Sequence, residues 1–162
     1  MMPDQIKFYS SGEIPFGAFS NFLKKHPIIV NDKEWPSSEH YYQAMKFTDK
    51  NVQEAIRFLK TPREAADTGR RRDLPLREDW EEVKNDVMRE AIKAKFTQHT
   101  CLKSILLASG NAELIEHTTN DNYWADNGDS SGKNMLGKLL MELRDEIRKE
   151  IKPELTIQNF IQ

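Results

Sequence analysis

The stretch Trp35-Pro36-Ser37-Ser38-Glu39-His40-Tyr41-Tyr42-Gln43-Ala44-Met45-Lys46-Phe47 decides how this chain is read. It begins as a helix begins. Ser37 or Ser38 can cap the first free amides, and Glu39 falls in the first turn, where a carboxylate suits the positive helix end. At about 100° per residue, Glu39, Gln43 and Lys46 share one narrow stripe with Tyr42 on its edge, while Tyr41, Ala44 and Met45 lie opposite. The helix is expected to run to about Thr48-Asp49. Two readings of the stripe compete. It is either a solvated face carrying a Glu39–Lys46 pair, or a carboxylate, an amide and an amine gathered among aromatics as the parts of a polar site.

Working outward, Gln5–Ser10 alternates as a short strand, and Pro27–Val30 followed by Asn31-Asp32-Lys33 and Glu34-Trp35 reads as a hairpin. Downstream, Asp49 caps a helix over Lys50–Leu59. Thr61-Pro62-Arg63-Glu64 is a capping box with proline at the first helical position, and Gly69 supplies the stop. Asp79 to Gln98 forms the longest helix, with Trp80, Val83, Val87, Ala91 and Ile92 on its apolar stripe. Leu102–Ala108 is a short helix closed by Gly110, and Leu114–His117 a strand. The small-residue loop Gly128–Asn134 opens a last helix from Met135 to about Glu150, with Pro153 as its stop and 154–162 as a tail. The expected domain is therefore 1–152, followed by a tail at 153–162, in a mainly helical α+β class with a small N-terminal hairpin or sheet.

Composition narrows the function classes. With 162 residues, 38% hydrophobic and 31% charged, the chain fits one soluble, helix-rich domain. A formal net charge of −2 gives no overall attraction to nucleic acid or to an anionic membrane. A single cysteine, Cys101, leaves no internal disulfide and fits a reducing compartment. No N-terminal signal pattern and no run of ~18 apolar residues is present, so a cytoplasmic location is expected. The four histidines lack metal-ligand spacing, and no metal site or cofactor is expected.

Several residues carry possible chemistry. The Gly128–Asn134 loop is not a Walker A motif, because three residues rather than four separate its glycines and Asn134 replaces the hydroxyl after the lysine. It can still present backbone amides to an anion or a sugar. Arg70, Arg71 and Arg72 follow a helix end that they can neutralise, and Arg70 lies nearest as a phosphate ligand. Trp80 sits on an apolar stripe, where packing is the default. Trp124 sits in a polar loop near Asp121, a place that suits covering a ligand. Glu39 and Asp121 are the carboxylates able to stabilise an oxocarbenium-like state at a sugar carbon. Lys46 can act as a charge or attack an opened sugar aldehyde.

In order along the chain stand FSNF at Phe19–Phe22, WPSSEHYYQAMKF at Trp35–Phe47, Gly69-Arg70 and W-x-x-V-K-x-x-V-M at Trp80–Met88. Lys95-Phe96, LIEHTTNDNYWAD at Leu114–Asp126 and G-x-N-x-L-G-x-L-L-M-x-L-R at Gly132–Arg144 complete the set. With these blocks the sequence resembles the YbiA-like N-glycosidases of the NADAR (NAD- and ADP-ribose-associated) superfamily. The resemblance implies a compact α+β domain and hydrolysis of an N-glycosidic bond on a phosphorylated ribose. The substrates it implies are phosphoribosylamino-pyrimidine intermediates of riboflavin biosynthesis, cleaved to a reactive base and ribose 5-phosphate. An alternative is removal of ADP-ribose from guanine bases of DNA or RNA, for which a lysine imine has been proposed in the superfamily. The implied partner is a small phosphoribosyl-type substrate, or ADP-ribosylated nucleic acid under the alternative; neither involves a membrane, and the oligomeric state is open. Glu39, Lys46, Trp80, Asp121 and Trp124 occupy family motif positions, as do Asn21, Gly132 and Asn134. Ala125 departs from the glycine that many relatives carry after the tryptophan.

Overall fold

A computed structural model describes residues 2–158, with the backbone alone for 152–158. The chain divides into two units, residues 8–103 and residues 1–7 with 104–162.

In the unit formed by residues 8–103, strands β2 (Ile28–Val30) and β3 (Lys33–Trp35) pair antiparallel, with Ile28 opposite Trp35 and Val30 opposite Lys33. Asn31 and Asp32 take φ of 51° and 60°, the left-handed pair that a two-residue turn needs to match strand twist. The outer edge of β2 is closed by Gln98, whose amide accepts from the Ile29 N–H and donates to the Ile29 carbonyl, both at 2.8 Å. A side chain thus does the work of a third strand at an edge that would otherwise stay open. Four helices follow: α1 (Ser38–Ala44), α2 (Lys50–Arg57), α3 (Pro62–Gly69) and α4 (Trp80–Gln98). Ser37 caps α1 by accepting from the His40 N–H, and Asp49 caps α2 through Asn51 at 2.8 Å. Thr61 and Glu64 form the complete capping box at α3. The aromatic core includes Phe8, Phe19 and Phe96, each at most 1% exposed, with Phe8 edge-on to Phe19 at 5.4 Å.

Helix α1 is shorter than its sequence suggests and ends at Ala44, not near Asp49. No glycine or proline stops it. Instead the carbonyls of Lys46 and Phe47, which a longer helix would use internally, accept from the Arg77 N–H at 2.8 Å and the Gln53 side chain at 2.6 Å. Long-range hydrogen bonds have overridden local propensity.

In the other unit, β1 (Gln5–Phe8, whose last residue opens the first unit) pairs with β4 (Glu113–Glu116). Helix α5 (Thr100–Ala108) leads into it, and helix α6 (Met135–Gln158) packs on β4. Leu136, Leu139, Leu140, Leu143 and Ile147 supply the buried stripe of α6. Gly137 allows the close approach, since a Cβ there would stand 2.0 Å from the Leu114 carbonyl oxygen. Arg144, 4% exposed, donates to Ser109 Oγ at 2.8 Å and the Ala112 carbonyl at 2.9 Å, which closes the turn after α5. Pro153 does not end the last helix. The helix continues through it, although a proline inside a helix costs one lost N–H bond and a ring clash with the preceding turn. The expected tail at 154–162 is thus helical to Gln158, and 159–162 lie outside the described residues. Among the described residues no helix is long and apolar enough to cross a membrane.

Candidate active site

Every residue of α1 is buried, which removes the solvated-stripe reading. Glu39 and Gln43 are each 6% exposed, and the Gln43 amide donates to Glu39 Oε1 at 2.6 Å. A carboxylate taken so far out of water loses several kcal/mol of hydration unless hydrogen bonds replace it, so this neighbour matters. Ser38 Oγ donates to Asn21 Oδ1 at 2.9 Å, which ties the FSNF turn to the start of α1. The Asn21 amide in turn lies 3.3 Å from the Met88 sulfur, a weak acceptor. Asn21, Ser38, Glu39 and Gln43 are all buried. His40 stands apart. Its Nε2–H donates to the Leu59 carbonyl at 3.1 Å and its Nδ1 faces Ser37 Oγ at 2.7 Å. Burial pushes its pKa below the ordinary imidazole value, with the Leu59 hydrogen bond opposing, so it is a neutral structural ring.

Lys46 lies in the turn after α1 rather than on the helix. Its Nζ stands 5.4 Å from the centre of the Tyr42 ring and 6.0 Å from that of Trp80. Tyr42 and Trp80 pack against each other at 5.2 Å, and Trp80 is 6% exposed. Two aromatic faces favour a cation at this place by about 0.5–2 kcal/mol. A second lysine, Lys95, stands in the quoted Lys95-Phe96 block but is not among the candidate site residues named from the sequence. It is 2% exposed and donates to the Ser20 carbonyl at 2.8 Å. Desolvation alone pushes its pKa down to about 7. The signal was in the sequence: Lys95 falls three and four residues after Ile92 and Ala91, on the core stripe of α4.

The other unit holds the loop after β4. Asp121 Oδ1 accepts from the N–H groups of Tyr123 at 2.8 Å and Trp124 at 2.7 Å, so this carboxylate shapes the turn that carries both aromatics. Trp124 is half-buried and meets Tyr123 edge-on at 5.1 Å. Asp126, 3% exposed, accepts from His117 Nδ1–H at 2.7 Å and from the Gly128 N–H at 2.8 Å. Burial resists ionisation of Asp126. The hydrogen bonds from His117, Gly128 and Thr118 outweigh it and hold the carboxyl below its usual range. An imidazole oriented by a buried carboxylate is a second arrangement that motif reading passed over. Ala125 is fully buried at an ordinary φ, so the missing glycine costs the loop no strain.

The remaining candidates fall as follows. Asn134 spends its side chain on β4, donating to the Leu114 carbonyl at 2.8 Å and accepting from the Glu116 N–H at 3.0 Å. Gly132 lies where a Cβ would stand 2.3 Å from the Ala125 carbonyl oxygen, so it closes the loop on itself. Arg70 is exposed, ion-paired to Asp67, and its backbone ends α3. Arg72 donates to the Gly69 carbonyl, as an arginine at a helix C-terminus should. Glu39, Lys46, Trp80 and Asn21 are thus drawn around α1, while Asp121, Trp124, Gly132 and Asn134 organise the loop between β4 and α6. Among the described residues no cluster of histidine, cysteine, aspartate and glutamate could hold a metal ion.

A small sheet-and-helix scaffold that buries a carboxylate and an amide and carries a half-buried, aromatic-flanked amine defines a class of polar-site domains to which known relatives can be compared. A family model described as the NADAR domain matches residues 7–148, and the chain belongs to that family. N-glycosidase YbiA of Escherichia coli (strain K12) is 52% identical over 145 residues, covering 90% of this chain and 89% of that protein. The NMR structure of E. coli YbiA superposes with a TM-score of 0.85, covering 93% of this chain and 89% of that one. N-glycosidase Npun_R5314 of Nostoc punctiforme is 42% identical, covering 88% of this chain and 92% of that protein. A Vibrio vulnificus protein named riboflavin biosynthesis protein VVA0006 is 40% identical, covering 92% of this chain and 40% of its own length. The α+β fold expected from the resemblance is that of its structural relative, and the chain is a hydrolase acting on N-glycosyl bonds.

Proposed function

We propose that this enzyme hydrolyses the N-glycosidic bond of phosphoribosylamino-pyrimidine intermediates of riboflavin biosynthesis and releases ribose 5-phosphate in the cytoplasm. The observation that carries the chemistry is the buried Glu39 carboxylate with its Gln43 partner on α1, followed in the next turn by an aromatic-flanked Lys46. The names of the Vibrio relative and of a maize relative, riboflavin biosynthesis protein PYRR, favour this substrate class. In the reaction the C1′–N bond breaks, its electron pair and a proton pass to the leaving nitrogen, and water adds at C1′. Glu39 stabilises the positive sugar carbon, takes the proton that the attacking water loses and passes it on to the leaving nitrogen, so the hydroxyl ends on C1′ and the proton on nitrogen. Lys46 acts as a fixed positive charge, a role its two aromatic neighbours favour over that of a nucleophile. Asn21, Trp80 and Arg70 are the substrate-binding residues that accompany Glu39 and Lys46 in the unit of residues 8–103. In the loop between β4 and α6, Asp121, Gly132 and Asn134 hold the backbone that carries Trp124, whose half-buried ring is the loop's ligand-binding candidate. The deciding experiment presents the purified protein with the riboflavin intermediate and, separately, with guanine-ADP-ribosylated DNA. Release of ribose 5-phosphate from the first is expected. Loss of the ADP-ribose mark from the second, with the first untouched, would replace this reading with that of an ADP-ribosyl hydrolase.

A further inference from the structure

We propose that Gly69 is a positioning residue for this reaction: its missing side chain is the seat of the Gln43 amide, which in turn holds the Glu39 carboxylate. The inference rests on the assignment of Glu39 made above. Gly69 is the last residue of α3, where a glycine usually serves as a left-handed stop. It does not serve so here. The glycines with positive φ are Gly110 and Gly128, and the cap of α3 is Arg70 at φ −85°. The backbone at residue 69 therefore accepts any L-amino acid, and glycine costs the helix stability compared with alanine. A different reason for the glycine is needed, and the packing of α3 on α1 supplies it.

A Cβ on residue 69 would stand 1.8 Å from Gln43 Oε1, 2.7 Å from its Cδ and 3.2 Å from its Cβ. The amide group of Gln43 therefore occupies the space that an alanine methyl would fill. On its other side the same amide donates to Glu39 Oε1 at 2.6 Å. Its own oxygen is buried without a hydrogen-bond partner. A buried acceptor left unpaired is unfavourable, and turning the amide over would give that oxygen no better partner while setting it against the carboxylate. The amide is thus fixed in orientation by Glu39 and fixed in place by the absence of a side chain on Gly69. Any atom added at 69 must push the amide off, and Glu39 loses the donor that aims it.

The test is a double-mutant cycle read in N-glycosidase turnover and thermal denaturation, using Gly69→Ala, Gln43→Ala and the double variant. Each single change is expected to lower kcat by roughly 10–100-fold with KM nearly unchanged, the scale of a misplaced catalytic group. Both single variants are expected to stay folded and to melt lower than the wild type, because each takes a buried donor from the Glu39 carboxylate. In the Gln43→Ala background the methyl at 69 meets only a Cβ at 3.2 Å, so the double variant should be no slower than either single one. Wild-type kcat in Gln43→Ala, which adds no atoms, would overturn the proposal, as would losses that multiply in the double variant. Glu39→Gln in the same assay separates the two levels. If it is inactive while Gln43→Ala is not, the positioning role alone falls; if it turns over normally, the assignment of Glu39 falls with it.

Discussion

Replacing Lys95 by methionine should change how the stability of this protein depends on pH, and the size of the change follows from one number. The Lys95 amine has a folded-state pKa of about 7, against 10.5 for an ordinary lysine, and burial is the sole cause. The folded value is depressed, so between pH 7 and about pH 10 the unfolded chain binds a proton that the folded chain does not. Stability therefore rises with pH across that window, at up to ~1.4 kcal/mol per unit. Below pH 7 both states are protonated and the full burial penalty is present. From pH 7 to pH 9 the wild type should gain about 2 kcal/mol that the Lys95→Met variant does not. Absolute stabilities carry a second contribution, because the Ser20 carbonyl loses its donor at a cost of roughly 1–3 kcal/mol. The pH slope is free of it, since that loss does not titrate. Urea unfolding of both proteins at pH 7, 8 and 9 gives the difference directly, with all other titrating groups cancelling. Parallel stability profiles for the two proteins would refute the claim that Lys95 is buried without a counter-charge.

Lys46→Ala should lower turnover by ~100-fold or more. Lys46→Arg should recover much of that loss if the residue acts as a charge, and none if it forms an imine, which steady-state kinetics on the pair will tell. Trp80→Ala should cost roughly 3–5 kcal/mol in chemical denaturation, because the ring is buried against Tyr42. Trp124→Ala, at a half-buried loop position, should leave stability nearly unchanged and raise KM; an unchanged KM with a lower melting temperature would make Trp124 a packing residue.

Local signals located most of the elements. The Asn31-Asp32 turn, the Thr61–Glu64 box and the Asp49 cap each name one backbone conformation with a physical cause, and each is found in place. Where the reading failed, the cause lay far away in sequence. Helix α1 stops because Arg77 and Gln53 claim carbonyls that no local pattern reveals. Gly69 reads as a stop, yet its role in packing appears only once α3 lies on α1. For the site, helix spacing placed Glu39 and Gln43 on one stripe, and their hydrogen bond was legible from that. That the stripe faces inward was not, because every face of this short helix is covered. Lys95 could have been found as a lysine at core spacing on α4. Its lowered pKa could not, since that depends on the Phe19–Phe22 turn lying over its amine.

The central claim is that the buried carboxylate on α1 performs the chemistry. It is tested most directly by the turnover of Glu39→Gln on the phosphoribosylamino-pyrimidine intermediate, beside the wild type and with thermal melts to verify the fold. The change is nearly isosteric and keeps a side chain of the same length beside Gln43. A folded variant whose release of ribose 5-phosphate falls by ~100-fold or more is the predicted result. A folded variant that turns over like the wild type would contradict it.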